Sequence, residues 1–242
     1  HRLAGENNKN TKPKSLRPVD PVDEFGFVSV AAGDGLETLF NDLGCTHVVS
    51  GGQTMNPSTD DILRAILATP AKTVYVLPNN KNIILAAEQA VPLVQDREVI
   101  VIPTRTIPQG ISAMLAFDPD MSPMENQSYM VESATKVSTG QITFAARNSE
   151  YGGFKIKEGD ILALDNGKLV FSEKDPLKAA VRLTKSMTNR DTSFLTLIYG
   201  DSISEEQAKY VYDTLSHKLG SKVDITLIDG GQPVYHFIIS VE

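Results

Sequence analysis

The sequence predicts an α/β protein in two parts: a parallel, doubly wound half, then an α+β half with antiparallel strands. Three observations predict it. Between residues 25 and 120, short apolar runs alternate four times with stretches whose apolar residues recur at helical spacing. That is the rhythm of βα units joined by right-handed crossovers. Beyond Asp118-Pro119 the rhythm changes and strands come close together. Asp165-Asn166-Gly167-Lys168 then gives a hairpin signal, because Asn-Gly supplies the positive φ of a type I′ turn.

The elements follow in order. Residues 5–24 hold prolines at 13, 18 and 21 and only Leu16, Val19 and Val22 as large apolar side chains. Residues 1–24 are therefore expected to be a linker from an upstream domain, and the chain a fragment of a longer protein. Residues 27–32 (FVSVAA) form the first strand, and Gly33-Asp34-Gly35 turns the chain. Leu36, Leu39, Phe40 and Leu43 mark a helix that Gly44 stops. Residues 46–49 are the second strand; Ser58 to Asp61 offer a capping box for the helix carrying Ile62 and Ile66. Residues 73–77 and 99–102 are the third and fourth strands, each followed by a helical pattern.

In the part from 121 to 242, a helix is expected over 124–137, with strands at 141–147 and 161–164. Asp175-Pro176 opens a helix, Asp as cap and Pro at the first position. Residues 194–198 form a strand. Two capping boxes, Ser202–Glu205 and Ser204–Gln207, compete to start the next helix. Strands at 223–228 and 234–240 close the chain. Gly-Gly-Gln occurs at 51–53 and again at 230–232, where it reads as a turn between the last two strands.

Composition excludes some functions. Lys+Arg 23 against Asp+Glu 30 gives a net charge of −7 without a basic run, which argues against nucleic acid as a partner. No apolar run approaches the ~20 residues of a membrane helix, so no integral membrane segment is expected. The single cysteine, Cys45, allows no internal disulfide and fits a reducing, cytoplasmic setting. Cys45 and His47 lack a matching ligand pair, so Cys45 reads as a buried thiol and no metal site is expected.

In an open parallel sheet, ligands bind beyond the carboxyl ends of the strands. Those ends here are polar: Gly33-Asp34-Gly35, then Gly51, Gly52, Gln53, Thr54, Asn56 and Ser58, then Asn79, Asn80 and Lys81, then Arg105 and Thr106. Amides, hydroxyls, helix N-termini and two cations suit an anion such as a carboxylate or phosphate. The plainer alternative is that these side chains cap their own helices. Nucleotide fingerprints fail: the third glycine of G-x-G-x-x-G is Thr38, and neither a phosphate loop nor a Gly-x-Ser-x-Gly elbow exists. No catalytic residue is nominated.

The runs 51–58 (GGQTMNPS), 77–82 (LPNNKN), 104–110 (TRTIPQG) and 230–235 (GGQPVY) together resemble the C-terminal domain of the bacterial fatty acid kinase ATP-binding subunit. Those are the DAK2-domain, or dihydroxyacetone-kinase-like, proteins. The resemblance spans about residues 25–242 and implies a DegV-like fold. It implies a non-catalytic module that docks a DegV-type fatty-acid-binding protein, with ATP and Mg²⁺ held by an upstream kinase domain and no cofactor in this fragment. It also implies acyl-phosphate synthesis for phospholipid production. The alternatives are a sensor that binds a fatty acid or another carboxylate in the crevice between the halves, and an autonomous enzyme.

Overall fold

The computed structural model describes residues 16–52 and 56–242. The first half contains β1 (Asp23–Ala31), α1 (Asp34–Asp42), β2 (His47–Ser50), α2 (Thr59–Leu67), β3 (Ala71–Leu77), α3 (Lys81–Ala90), β4 (Glu98–Val101) and α4 (Ile107–Ala116). Its four strands are all parallel, in the order β2-β1-β3-β4. The order reverses between β1 and β3, which places the ligand crevice of a doubly wound sheet there.

The second half contains α5 (Pro123–Thr135), β5 (Ser138–Phe144), β6 (Ser149–Tyr151), β7 (Phe154–Ile156), β8 (Ile161–Asp165), β9 (Lys168–Glu173), α6 (Pro176–Met187), β10 (Phe194–Tyr199), α7 (Glu205–Leu219), β11 (Asp224–Asp229) and β12 (Phe237–Val241). Six of these strands form one sheet, β11-β10-β12-β5-β8-β9, while β6 and β7 pair as a separate hairpin.

Period-two alternation builds the layers. On β1, Val28 and Val30 face α2 and α3, while Phe27 and Ala31 face α1, α4 and α5. On β3, Val74 and Val76 take the first side and Tyr75 and Leu77 the second. Ile198 of β10 and Ile238 of β12 join that same middle core from the second sheet. The opposite face of the second sheet, with Leu195, Leu197, Phe237 and Ile239, packs on α6 and α7. The order of layers is therefore α2/α3, first sheet, α1/α4/α5, second sheet, α6/α7. Phe27 stacks on Tyr75 at 5.3 Å, and Phe117 meets both rings edge-on, an arrangement that adds to the area these rings bury.

The predicted class is observed, with differences in detail. The stretch expected to be linker is tied down from its far end. β1 begins at Asp23, and Val19 N donates to Leu67 O at 2.9 Å. The buried Arg97 guanidinium donates to Val19 O at 2.7 Å and Thr69 O at 2.6 Å; residues 1–15 lie outside the described residues. The second sheet is mixed, because β10 and β11 run parallel through the α7 crossover. β11 and β12 are not neighbours; β10 lies between them. β5 starts at Ser138, three residues before the predicted strand, and β12 starts at Phe237 because Val234 takes φ 69°. Asn166 (φ 48°) and Gly167 (φ 85°) form the predicted type I′ turn. Among the described residues no helix is long and apolar enough to cross a membrane.

Candidate functional site

A cleft of about 1000 Å³ opens at the carboxyl ends of the first sheet and is walled on its other side by the second half. The volume is at the upper end of the range for small-molecule sites. Its apolar wall includes Val30, Leu36, Ile83, Ile107, Leu164 and Ile238. Gly51 and Gly52 follow β2 and line it without side chains.

Asn79, Asn80, Lys81, Arg105 and Thr106 all reach the cleft, but their roles differ. Asn79, 6% exposed, is part of the framework. Its Nδ2 donates to Val30 O at 3.0 Å, and its Oδ1 accepts from Thr104 Oγ1 at 2.8 Å. These bonds lock β1, β3 and the loop after β4 together at the point of strand reversal. Asn80 caps α3 by accepting from Asn82 N at 2.9 Å. Thr106 caps α4, and its hydroxyl lies 2.8 Å from Thr139 Oγ1 of β5, joining the two halves across the cleft. The alternative reading of these polar residues as caps therefore holds for Asn80 and Thr106. Ser58 likewise caps α2 in a reciprocal capping box with Asp61. Ser58 and the exposed Asn56 are not among the cleft residues. Gln53 and Thr54 lie outside the described residues.

Lys81 and Arg105 face the same crevice, as their loops imply. A third cation, Lys168 of β9, joins them from the second half. Asn166 places it: Thr139 N donates to Asn166 Oδ1 at 2.8 Å and Asn166 N donates to Thr139 O at 2.8 Å, pinning the β8–β9 turn to β5. Sequence reading saw that hairpin but not that it folds over the cleft. Among the described residues, none of the three cations makes an ion pair, and no Asp or Glu lines the cleft. The cleft thus has positive potential in a chain of net charge −7.

The first strand-end loop takes a different role. Leu36 N, at the start of α1, donates to Gly230 O at 3.0 Å. A Cβ on Gly35 would sit 1.8 Å from Asp229 O, so only glycine admits this approach. The second Gly-Gly-Gln run thus seals the two halves together. Gln232, 2% exposed, lines the cleft floor; its Nε2 donates to Ile198 O at 3.1 Å, while its Oε1 has no partner among the described residues. Beside it, burial pushes the Tyr235 hydroxyl up to about 12.

Cys45 lies apart from the cleft, buried against Met114, with its thiol pushed up to about 11 by burial. His47 Nε2 donates to Ala68 O at 3.0 Å. Among the described residues no three His, Cys, Asp or Glu side chains gather in metal-binding geometry, and the cleft residues do not fit a Mg²⁺–ATP site. What the cleft can do chemically is hold an anion attached to an apolar group.

The comparisons agree with this architecture. Bacillus subtilis YloV is 39% identical over 235 residues, which are 97% of this chain and 42% of YloV; the chain thus spans about two fifths of that relative's length. A DegV family protein from Thermus thermophilus, described as fatty acid binding, superposes with a TM-score of 0.61 at 13% identity, covering 90% of this chain and 99% of that one. The dihydroxyacetone kinase of C. freundii superposes with a TM-score of 0.59 at 16% identity, covering 90% of this chain and 48% of that one. At such identities the solved structures establish the DegV-like fold alone. Residues 26–242, from within β1 to the last residue and including every strand end that forms the cleft, match the FakA-like C-terminal family of fatty acid kinase subunits, and the chain belongs to that family.

Proposed function

We propose that this chain is the non-catalytic C-terminal module of a cytoplasmic fatty acid kinase, and that the mouth of its cleft docks a DegV-type fatty-acid-binding protein. The observation that carries the reading is the charge of that mouth: Lys81, Arg105 and Lys168 without a carboxylate, in an acidic chain. Such a patch steers an acidic partner face and rejects like-charged ones. The upstream part of the parent chain supplies ATP and Mg²⁺ in this reading, and the partner presents the acyl carboxylate for phosphorylation toward phospholipid synthesis.

A second reading puts the acyl group in the cleft itself. The cleft's volume and apolar wall favour it, as does the fatty-acid-binding Thermus thermophilus protein of the same fold. One variant tests both. Lys81→Glu/Arg105→Glu/Lys168→Glu keeps the melting temperature, since exposed, unpaired charges contribute little stability. Calorimetry with the fatty-acid-binding protein is expected to give at least about tenfold weaker binding for the variant, steepest at low salt. Unchanged affinity would remove the cleft mouth from the interface. Saturable oleate binding by the unmodified chain, lost in the variant, would favour the second reading.

A further inference from the structure

Helices α6 and α7 form the outermost layer, on the side of the second sheet remote from the first. Between them lies a separate, shallower groove of about 320 Å³. From α6 come Lys178, Arg182 and Lys185, at spacings of four and three, with Leu177 and Val181 beside them. From α7 come Tyr210, Thr214 and Lys218, each four residues from the last. Half of these eight lining residues are cations, and none is acidic.

Folding accounts for only part of this arrangement. Arg182 stacks on the Phe171 ring with its guanidinium carbon 3.9 Å from the centroid, so it packs as well as carries charge. The three lysines are exposed, and none pairs with an acid among the described residues. Lys178 and Arg182 are like charges one turn apart, a spacing that weakens a helix. The groove therefore carries a charge that its own helices do not require.

We propose that this face of α6 and α7 docks on an anionic phospholipid surface. Lysine stems lie along Leu177 and Val181 while their ammonium groups extend outward, which matches a layer of phosphates above an apolar interior. Tyr210, 60% exposed at the groove, has the amphipathic ring that settles at headgroup level. A protein partner is less well served. A stable interface covers about 800 Å² per partner around a central apolar anchor, and here Leu177 and Val181 are half-buried and Tyr210 stands alone. The net charge of −7 repels the rest of the chain from such a surface. Screening within about 10 Å leaves the local cations in control and fixes the orientation. This inference uses no residue of the cleft and stands apart from the partner-docking reading.

The test is co-sedimentation of the 242-residue chain with phosphatidylglycerol/phosphatidylcholine vesicles, about 30:70, against pure phosphatidylcholine. Binding is expected to the anionic vesicles only, and to disappear at high salt. Lys178→Glu/Lys185→Glu/Lys218→Glu is expected to lower partitioning about a hundredfold, at roughly fivefold per cation, with an unchanged circular dichroism melt. Tyr210→Ala weakens binding without altering charge. Lys81→Glu/Arg105→Glu in the cleft leaves vesicle binding intact, so failure here and failure of the docking reading are separate results. Equal binding to pure phosphatidylcholine, no binding to the anionic vesicles, or a folded triple-lysine variant that binds as before would each overturn the proposal.

Discussion

Asn79 shows how position alone misleads at the scale of one residue. It sits at the carboxyl end of β3, where a recognition residue is expected, and it adopts φ 57°, a left-handed conformation that asparagine tolerates better than most residues. Its amide is nevertheless engaged by Val30 and Thr104. Gly110 of α4 leaves the room for it: a Cβ there would lie 2.0 Å from Asn79 Oδ1. Gly110→Ala is expected to cost about 1–3 kcal/mol by overpacking, against less than about 0.5 kcal/mol for neighbouring Lys81→Ala; urea denaturation of both variants checks this. His236 carries a second prediction. Its Nδ1 faces Ser202, and its Nε2 is buried with no partner among the described residues. Burial lowers its pKa below the ordinary 6.5, with Asp201 opposing weakly. The unfolded chain therefore takes up a proton on acidification before the folded one does. Stability is full above pH 6.5 and falls as pH drops below it toward the folded pKa. His236→Gln is expected to flatten that part of the profile; an identical pH slope in variant and parent would show that another group is responsible.

At the scale of elements, local chemistry made much of the molecule legible. The caps at Ser58, Asp175 and Ser204, the Asn166-Gly167 turn and the four βα units all stand in the sequence as short-range signals. What stayed hidden depends on distant contacts. The β6–β7 hairpin alternates no apolar face, five of its six residues being exposed, so it gave no periodic signal. The parallel pairing of β10 with β11, and the insertion of β12 on the other side of β10, follow from packing on α7 and β5 rather than from any local pattern. The two competing capping boxes are resolved structurally: Ser204 accepts from Gln207 N at 3.1 Å and Gln207 Oε1 accepts from Ser204 N at 2.9 Å, while Ser202 turns to His236. Ser204→Ala is accordingly expected to cost about 1 kcal/mol and to speed hydrogen exchange at the Gln207 amide. Ser202→Ala leaves that amide protected; equal exchange in the two variants would contradict the assignment.

At the scale of the whole molecule, the cleft exists only because the halves meet. The sequence marked Lys81 and Arg105 as neighbours on one sheet edge, but Lys168 and Gln232 reach them through contacts that no local pattern encodes. Three devices hold the meeting. The middle core mixes Phe27, Tyr75 and Leu77 with Ile198 and Ile238. The Thr106–Thr139 hydroxyl pair bridges the cleft. The glycines at 33 and 35 admit the 229–232 backbone, where any Cβ would collide. A core shared in this way gives neither sheet a complete hydrophobic surface of its own, because removing one half exposes Ile198 and Ile238 or Phe27 and Leu77 to water. Unfolding is therefore expected in one cooperative transition, with the calorimetric enthalpy equal to the van't Hoff value. Gly35→Ala tests the coupling directly. Its Cβ would lie 1.8 Å from Asp229 O, so the contact must open, and the single transition is expected to move to lower temperature with its cooperativity retained. A variant that instead unfolds in two separated steps would mean that each half carries its own stability, and that the cleft is a hinge between two bodies rather than a groove fixed in one.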